Sequence, residues 1–221
     1  DWLKRNNQYE NTVFVFTADH GDFAGEHGLF HKNFGIYECL HRIPFIFKMP
    51  GGPRGERRRQ IIESVDVYPT LCEIAKLPMP DDIDGTSFLS VVNNAGATGK
   101  IEALAEYDWF EPGKRINALR TDRHRIVYYD HKHGGELYDH ESDPGEIENL
   151  WDSPAHQLLK MELLQRLFDR INCYRTPSSV QGDLRTEHEY SYMPTRLVQF
   201  GQMDWEILKK TYSTPVPKRG N

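Results

Sequence analysis

The rhythm of hydrophobic and polar positions changes twice along this chain. Residues 12–17 run Thr-Val-Phe-Val-Phe-Thr, a short continuous stretch rich in β-branched and aromatic side chains. Such a stretch predicts a strand buried on both faces, as in a parallel sheet. Pro44-Phe45-Ile46-Phe47-Lys48 repeats the pattern, and Pro50-Gly51-Gly52-Pro53 closes it with a turn. From Asp66 the period lengthens to that of a helix. Val67, Leu71, Ile74 and Ala75 share one face, Asp66 stands where a cap belongs, Pro69 is tolerated in the first turn and Pro78 helps to end the element. Strand, loop, strand, helix is the grammar of an α/β domain.

Residues 93–100 (NNAGATGK) form a polar boundary, after which the pattern shortens again. Residues 116–120, 125–129 and 136–138 are strand-like runs separated by turn residues, and they predict a small antiparallel sheet. Asp143-Pro144-Gly145 marks a turn. Ser153-Pro154 opens an amphipathic helix with Leu159, Leu163, Leu164, Leu167, Phe168 and Ile171 on one side. Beyond residue 175 periodicity fades. The expected organisation is therefore an α/β portion over 1–98, an antiparallel subdomain over 99–175 and an extended tail over 176–221. Tail aromatics such as Tyr190, Tyr192, Trp205 and Tyr212 pack the tail on the body, line a pocket or form a homo-oligomer interface.

Composition narrows the partners. With 27% charged and 38% hydrophobic residues the chain reads as soluble globular material, and its net charge of −6 argues against nucleic acid as the main partner. Arg57-Arg58-Arg59, the one dense basic run, reads as a solvated loop. No apolar run approaches the roughly 18 residues of a membrane helix. The opening Asp1-Trp2-Leu3-Lys4 lacks a Met and reads as the end of a helix, so the natural N-terminus is expected upstream and targeting stays open. The three cysteines, Cys39, Cys72 and Cys173, are far apart and lack a C-x-x-C pair, which excludes a zinc knuckle and leaves buried free thiols.

The chemistry concentrates in residues 17–32, TADHGDFAGEHGLFHK, directly after the first strand. In open α/β sheets ligands sit beyond the carboxyl ends of the strands, and Asp19 and His20 occupy that place. Neighbouring residues of a strand point to opposite faces, so the chain must leave the strand at once for both to reach one point, and Gly21 permits it. A carboxylate beside an imidazole suits a divalent cation with mixed oxygen and nitrogen ligands. Lys32 is a compact cation on a long stem that would balance a tetrahedral oxyanion such as sulfate or phosphate. His31 is a candidate substrate contact, whereas Asp22 and Glu26 are expected to support the loop. Taken singly, Asp-His-Gly is equally a surface turn and Lys32 a solvated side chain.

The order of the pieces says more than any one of them. Thr17-Ala18-Asp19-His20-Gly21-Asp22, Gly25-Glu26-His27-Gly28-Leu29-Phe30-His31-Lys32, Tyr37-Glu38 and Arg42-Ile43-Pro44-Phe45-Ile46 come in sequence. Val65-Asp66-Val67-Tyr68-Pro69-Thr70-Leu71 and Asp84-Gly85-Thr86-Ser87-Phe88-Leu89 follow. Then come Leu119-Arg120-Thr121-Asp122-Arg123, Glu136-Leu137-Tyr138-Asp139, Asp143-Pro144 and Glu148-Asn149-Leu150. Over about residues 8 to 170 this set resembles the type I sulfatases of the alkaline phosphatase superfamily.

The resemblance implies part of an alkaline-phosphatase-like α/β sandwich, followed by a small C-terminal subdomain with an antiparallel sheet and a packed helix. It implies sulfate ester hydrolysis through a formylglycine nucleophile, with a divalent ion, usually Ca2+, on the sulfate oxygens. Asp19 and His20 match metal ligands, and Lys32 matches the lysine on the sulfate. Phosphonate monoester hydrolases share the Asp-His form and often carry Mn2+, which keeps phosphonate or phosphate esters, and Mn2+ or Mg2+, as alternatives.

The chain departs from the family in lacking the C/S-x-P-x-R motif that yields formylglycine. The expectation is a C-terminal portion of a sulfatase, inactive alone, whose nucleophile and further metal carboxylates lie in an N-terminal half that also completes the sheet. The substrate would be a sulfated small molecule or glycan. A non-catalytic interaction module that keeps the fold is the third reading.

Overall fold

The computed structural model describes residues 1–32, 36–79, 83–108, 115–130 and 134–174. All belong to the first of two compact units, Asp1–Ser179. The tail aromatics named above lie outside the described residues.

A one-turn helix α1 (Trp2–Arg5) precedes strand β1 (Phe14–Thr17). A long excursion holds the charged loop and a second single turn, α2 (Glu38–His41), before β2 (Phe45–Lys48). The two strands pair antiparallel, with Phe14 opposite Lys48 and Thr17 opposite Phe45. This corrects the parallel pairing expected for them. The burial expected of them is also not found: Phe14 and Phe16 are 48% and 50% exposed and Ile46 is 59% exposed. Apolar patterning records what a strand is built to bury. Among the described residues these side chains stay about half exposed, so the pattern and the burial part company here.

Helix α3 (Val67–Ala75) forms where the period predicts it, with Thr70 and Cys72 buried and Lys76 ending it in the left-handed conformation. Asp66 does not cap it as expected. Its carboxylate accepts the Glu63 N–H at 2.9 Å, in a capping box around the preceding turn, and the Thr86 N–H at 2.8 Å. Lys100 pairs with the same carboxylate at 2.7 Å. A short α4 (Leu89–Asn93) follows.

The rest is a meander, β3 (Glu102–Asp108), β4 (Arg115–Thr121), β5 (His124–Tyr129) and β6 (Gly134–Asp139), all antiparallel in the order β3-β4-β5-β6. Helix α5 (Gln157–Tyr174), opened by Pro154, lies across one face. Alternation sorts the side chains. Leu119, Ile126 and Leu137 meet Leu163, Leu167 and Ile171 of α5 in one dry cluster. Ile116, Ala118 and Val127 point the other way and pack on Ile36, from the segment that follows the charged loop. The sheet is thus held between a helix and the stem of that loop. Among the described residues no helix is long and apolar enough to cross a membrane.

Candidate active site

The chain leaves β1 at Thr17 and turns immediately. Gly21 makes the turn specific: its N–H donates to the Leu40 carbonyl at 2.8 Å. A Cβ at that position would fall 1.9 Å from the Cys39 carbonyl oxygen, so only glycine fits against α2. The two residues before this contact are Asp19 and His20.

Their geometry is that of an open pair. The His20 Nδ1 lies 2.7 Å from the Gly21 carbonyl oxygen. A carbonyl only accepts, so Nδ1 donates here, and in the neutral ring Nε2 is the nitrogen left to act as a ligand. Nε2 is 3.5 Å from Asp19 Oδ2, and the side chains are 41% and 87% exposed for His20 and Asp19. The His20 N–H donates to Asp19 Oδ1 at 3.0 Å. That bond foremost, then Asp19's own backbone N–H and, more weakly, the Lys32 charge, holds the Asp19 carboxyl below its ordinary range. An ionised oxygen and a free imidazole nitrogen, adjacent and open to solvent, fit a divalent cation of mixed O/N preference.

The loop beyond is tightly folded. Phe23 is fully buried and anchors it. The Phe23 N–H donates to the His31 carbonyl at 3.0 Å, and the Gly25 N–H to Leu29 at 2.9 Å. Asp22 Oδ1 accepts the Ala24 N–H at 2.8 Å, a local turn bond. Ala24, His27 and His31 sit at φ 47°, 52° and 62°, a region side chains rarely adopt. Such conformations persist only where surrounding contacts over-determine them, and they gather at functional sites. His27 stacks on Tyr37 with ring centroids 4.1 Å apart, and Phe23 meets the same ring edge-on at 5.7 Å. His31 and Lys32 are exposed on this loop. One loop therefore carries Asp19, His20, His31 and Lys32, and Lys32 is near enough for its charge to act on Asp19.

Cys39 is half-buried and free. Burial, then Glu26 beside it, pushes its thiol up to about 11, so it stays protonated and poorly nucleophilic at neutral pH. Glu26 thereby joins the loop to α2. Sequence reasoning missed the next layer. Glu38 takes Arg120 at 3.1 Å and Arg125 at 2.5 Å on its carboxylate, and its own N–H donates to Glu146 Oε2 at 2.7 Å. Arg125, with a 2% exposed side chain, also lies 2.8 Å from Glu146 Oε1 as an ion pair. His140 Nε2 is 2.9 Å from that same oxygen. Glu38, His140 and Glu146 have ligand atoms within 4.8 Å of one another, but the arginines already occupy and neutralise them. The signal for Arg125 was its alternation with Val127 and Tyr129, which places it on an inward face.

With this geometry in hand, comparison with known proteins decides the family. Residues 25–172 match the family model described as N-sulphoglucosamine sulphohydrolase, C-terminal. The chain belongs to the type I sulfatase family. What it matches is that family's C-terminal portion, and its fold is the alkaline-phosphatase-like α/β architecture expected. A sulfatase relative is the N-acetylglucosamine-6-O-sulfatase of Bacteroides thetaiotaomicron, 32% identical over 183 residues that cover 79% of this chain and 33% of the relative.

Among solved structures, a protein in complex with its substrate D-glucosamine-2-N,6-O-disulfate superposes with TM-score 0.72 at 31% identity, covering 78% of this chain and 36% of the other. The phosphonate monoester hydrolase of Silicibacter pomeroyi gives TM-score 0.72 at 25% identity, covering 81% and 38%. The chain spans about a third of the length of the curated relatives it matches.

Proposed function

We propose that this chain carries half of the active site of a sulfate ester hydrolase acting on a sulfated glycan or small sulfate ester. Asp19 and His20 would hold a divalent cation, Ca2+ foremost and Mn2+ or Mg2+ as alternatives. The observation that supports this most is the pair itself. Asp19 Oδ2 and His20 Nε2 stand 3.5 Å apart on an exposed turn, with His20 Nδ1 already taken by the Gly21 carbonyl, in a chain of sulfatase descent. When bound, the cation supplies positive charge to the sulfate oxygens.

The chain's own groups do the rest. Asp19 and His20 fix the cation's position. Lys32, from the same loop, offsets negative charge that builds on the sulfate group, and His31 reaches the substrate beside it. The buried Phe23 and the His27–Tyr37 stack hold the loop in the shape this requires. The nucleophile, formylglycine by family resemblance, would come from the remainder of the enzyme, which would also cover Phe14, Phe16 and Ile46. On this reading the 221 residues alone turn over no substrate and bind the cation weakly, having two ligands.

The test is metal content and turnover in the complete protein. Asp19→Asn and His20→Ala are expected to lose bound metal and to lower kcat/KM by 10²-fold or more, as an order of magnitude. Unchanged metal content would remove both from the cation's shell. The substrate to try first is a 6-O-sulfated glucosamine, the chemistry named for two relatives. The second reading, phosphonate ester hydrolysis, is favoured by the Asp-His pair and the fit to the phosphonate monoester hydrolase. Faster turnover of a phenylphosphonate ester than of the matched aryl sulfate would put it first.

A further inference from the structure

We infer that Arg125 and Glu38 are positioning residues for the Asp19–His20 pair. Through them the C-terminal sheet sets where the two ligands point. The inference rests on the ligand roles proposed above.

The chain of contacts is short. Asp19 and His20 are tied to the body by the Gly21 N–H bond to Leu40, with no room even for a methyl group at Gly21. Leu40 belongs to α2, a single turn of four residues. A helix that short has no cooperative stability of its own, so its place must be set from outside. The outside contacts converge on residues 36–38. Ile36 is 2% exposed against Ile116, Ala118 and Val127. The Arg125 guanidinium donates to the Ile36 carbonyl and to Glu38 Oε2, and pairs with Glu146. Glu146 in turn accepts the Glu38 N–H. Tyr37 packs against Tyr138 of β6, with ring centroids 6.3 Å apart.

The choice of residue types carries the functional reading. A buried ion pair is a poor device for raw stability, because desolvation consumes most of its Coulomb gain, and apolar side chains of equal volume would hold the segment as well. What a guanidinium adds is direction. Its planar fork fixes several acceptors at set angles, and here these are one carbonyl and two carboxylates. Burial alone would raise the Glu38 carboxyl, yet Arg120 and Arg125 outweigh it and keep the group ionised below its ordinary value. The network thus stays charged, and directional, across the neutral range.

The experiment is a titration of the complete, folded, metal-stripped protein with Ca2+ and with Mn2+ by calorimetry. It compares Arg125→Met, the milder Glu38→Gln, which keeps shape and one acceptor, and Leu163→Ala on the opposite sheet face. Thermal midpoints are measured alongside. Removing groups that orient metal ligands lowers affinity about 10–100-fold. That loss is expected for Arg125→Met and, toward the lower end, for Glu38→Gln, with kcat partly restored by excess metal. Leu163→Ala is expected to lower the thermal midpoint while leaving affinity within about twofold.

Wild-type affinity in Glu38→Gln and in whatever Arg125→Met folds would overturn the positioning role. Asp19→Asn serves as the reference. If it is depleted of metal while the network variants are not, only the positioning role fails. If it keeps its metal, the ligand assignment fails and the inference with it.

Discussion

The two faces of the β3–β6 sheet solve different problems with the same strands. Toward α5, Leu119, Ile126, Leu137, Leu163, Leu167 and Ile171 make a dry, direction-free contact. Toward the loop stem, a small apolar patch around Ile36 is flanked by Arg120, Arg125, Glu136 and Tyr138. Hydrophobic burial rewards area and is indifferent to angle. Guanidinium–carboxylate and phenol–carboxylate bonds reward angle and return little net energy. One face therefore fastens the sheet, and the other aims something. The buried phenols fit this division: burial first, and then Glu136, raises Tyr129 and Tyr138 well above ordinary phenols, so both remain hydrogen-bond donors to that carboxylate.

The contrast can be broken from either side. Arg125→Met leaves Glu38 and Glu146 short of their buried cation, and unfolding in urea is expected to show a loss of about 3–5 kcal/mol. Leu167→Ala, at a fully buried position on the dry face, is expected to lose about 2–5 kcal/mol. Yet its activity per folded molecule should stay near wild type. If Leu167→Ala lowered metal affinity as much as Arg125→Met, the faces would not be functionally distinct. Gly21→Ala forces α2 and the turn apart by the width of a methyl group, at about 1–3 kcal/mol and with a disproportionate fall in turnover.

Acid sharpens the comparison further. Glu38 is held below its ordinary 4.5 in the folded chain, so its stabilisation is fully present above pH 4.5 and is lost as pH falls through the folded value. The difference in thermal midpoint between wild type and Glu38→Gln should accordingly shrink below pH 4.5. For Leu167→Ala the difference should stay flat over the same range. Smallest of all is Arg54→Ala: that pair with Glu10 is 67% exposed at both ends, and removing it should change stability by under about 1 kcal/mol.

How much of this was readable in advance depends on how local the cause is. Strands β4, β5 and β6 and helix α5 were legible because alternation and the 3.6 period are written within single elements, and α3 likewise, whereas β3 was not expected from the pattern. That Asp19, His20 and Lys32 share one loop was legible because the stretch is contiguous and follows a strand. Arg125 was not, since a lone arginine reads as a solvated side chain until Glu38, 87 positions away, is placed against it. Asp66 misled for a related reason: its cap position was plain, but its partners Thr86 and Lys100 come from 20 and 34 positions onward. For β1 and β2 the pattern announced burial, and the described residues leave the strands open. That pattern speaks of surfaces the strands are made to meet.

The meander has one more consequence, and it concerns time rather than place. Each strand from β3 to β6 pairs only with its neighbour in sequence, so this sheet can assemble from short-range hairpins. The bonds that seat the loop stem span 82 to 108 positions and must await closure of a long segment. A chain built this way is expected to complete its late sheet first and to recruit its early, charged loop afterwards. The last part of the unit to take shape is then the loop proposed above to hold the cation, and its conformation is cast against a template already finished.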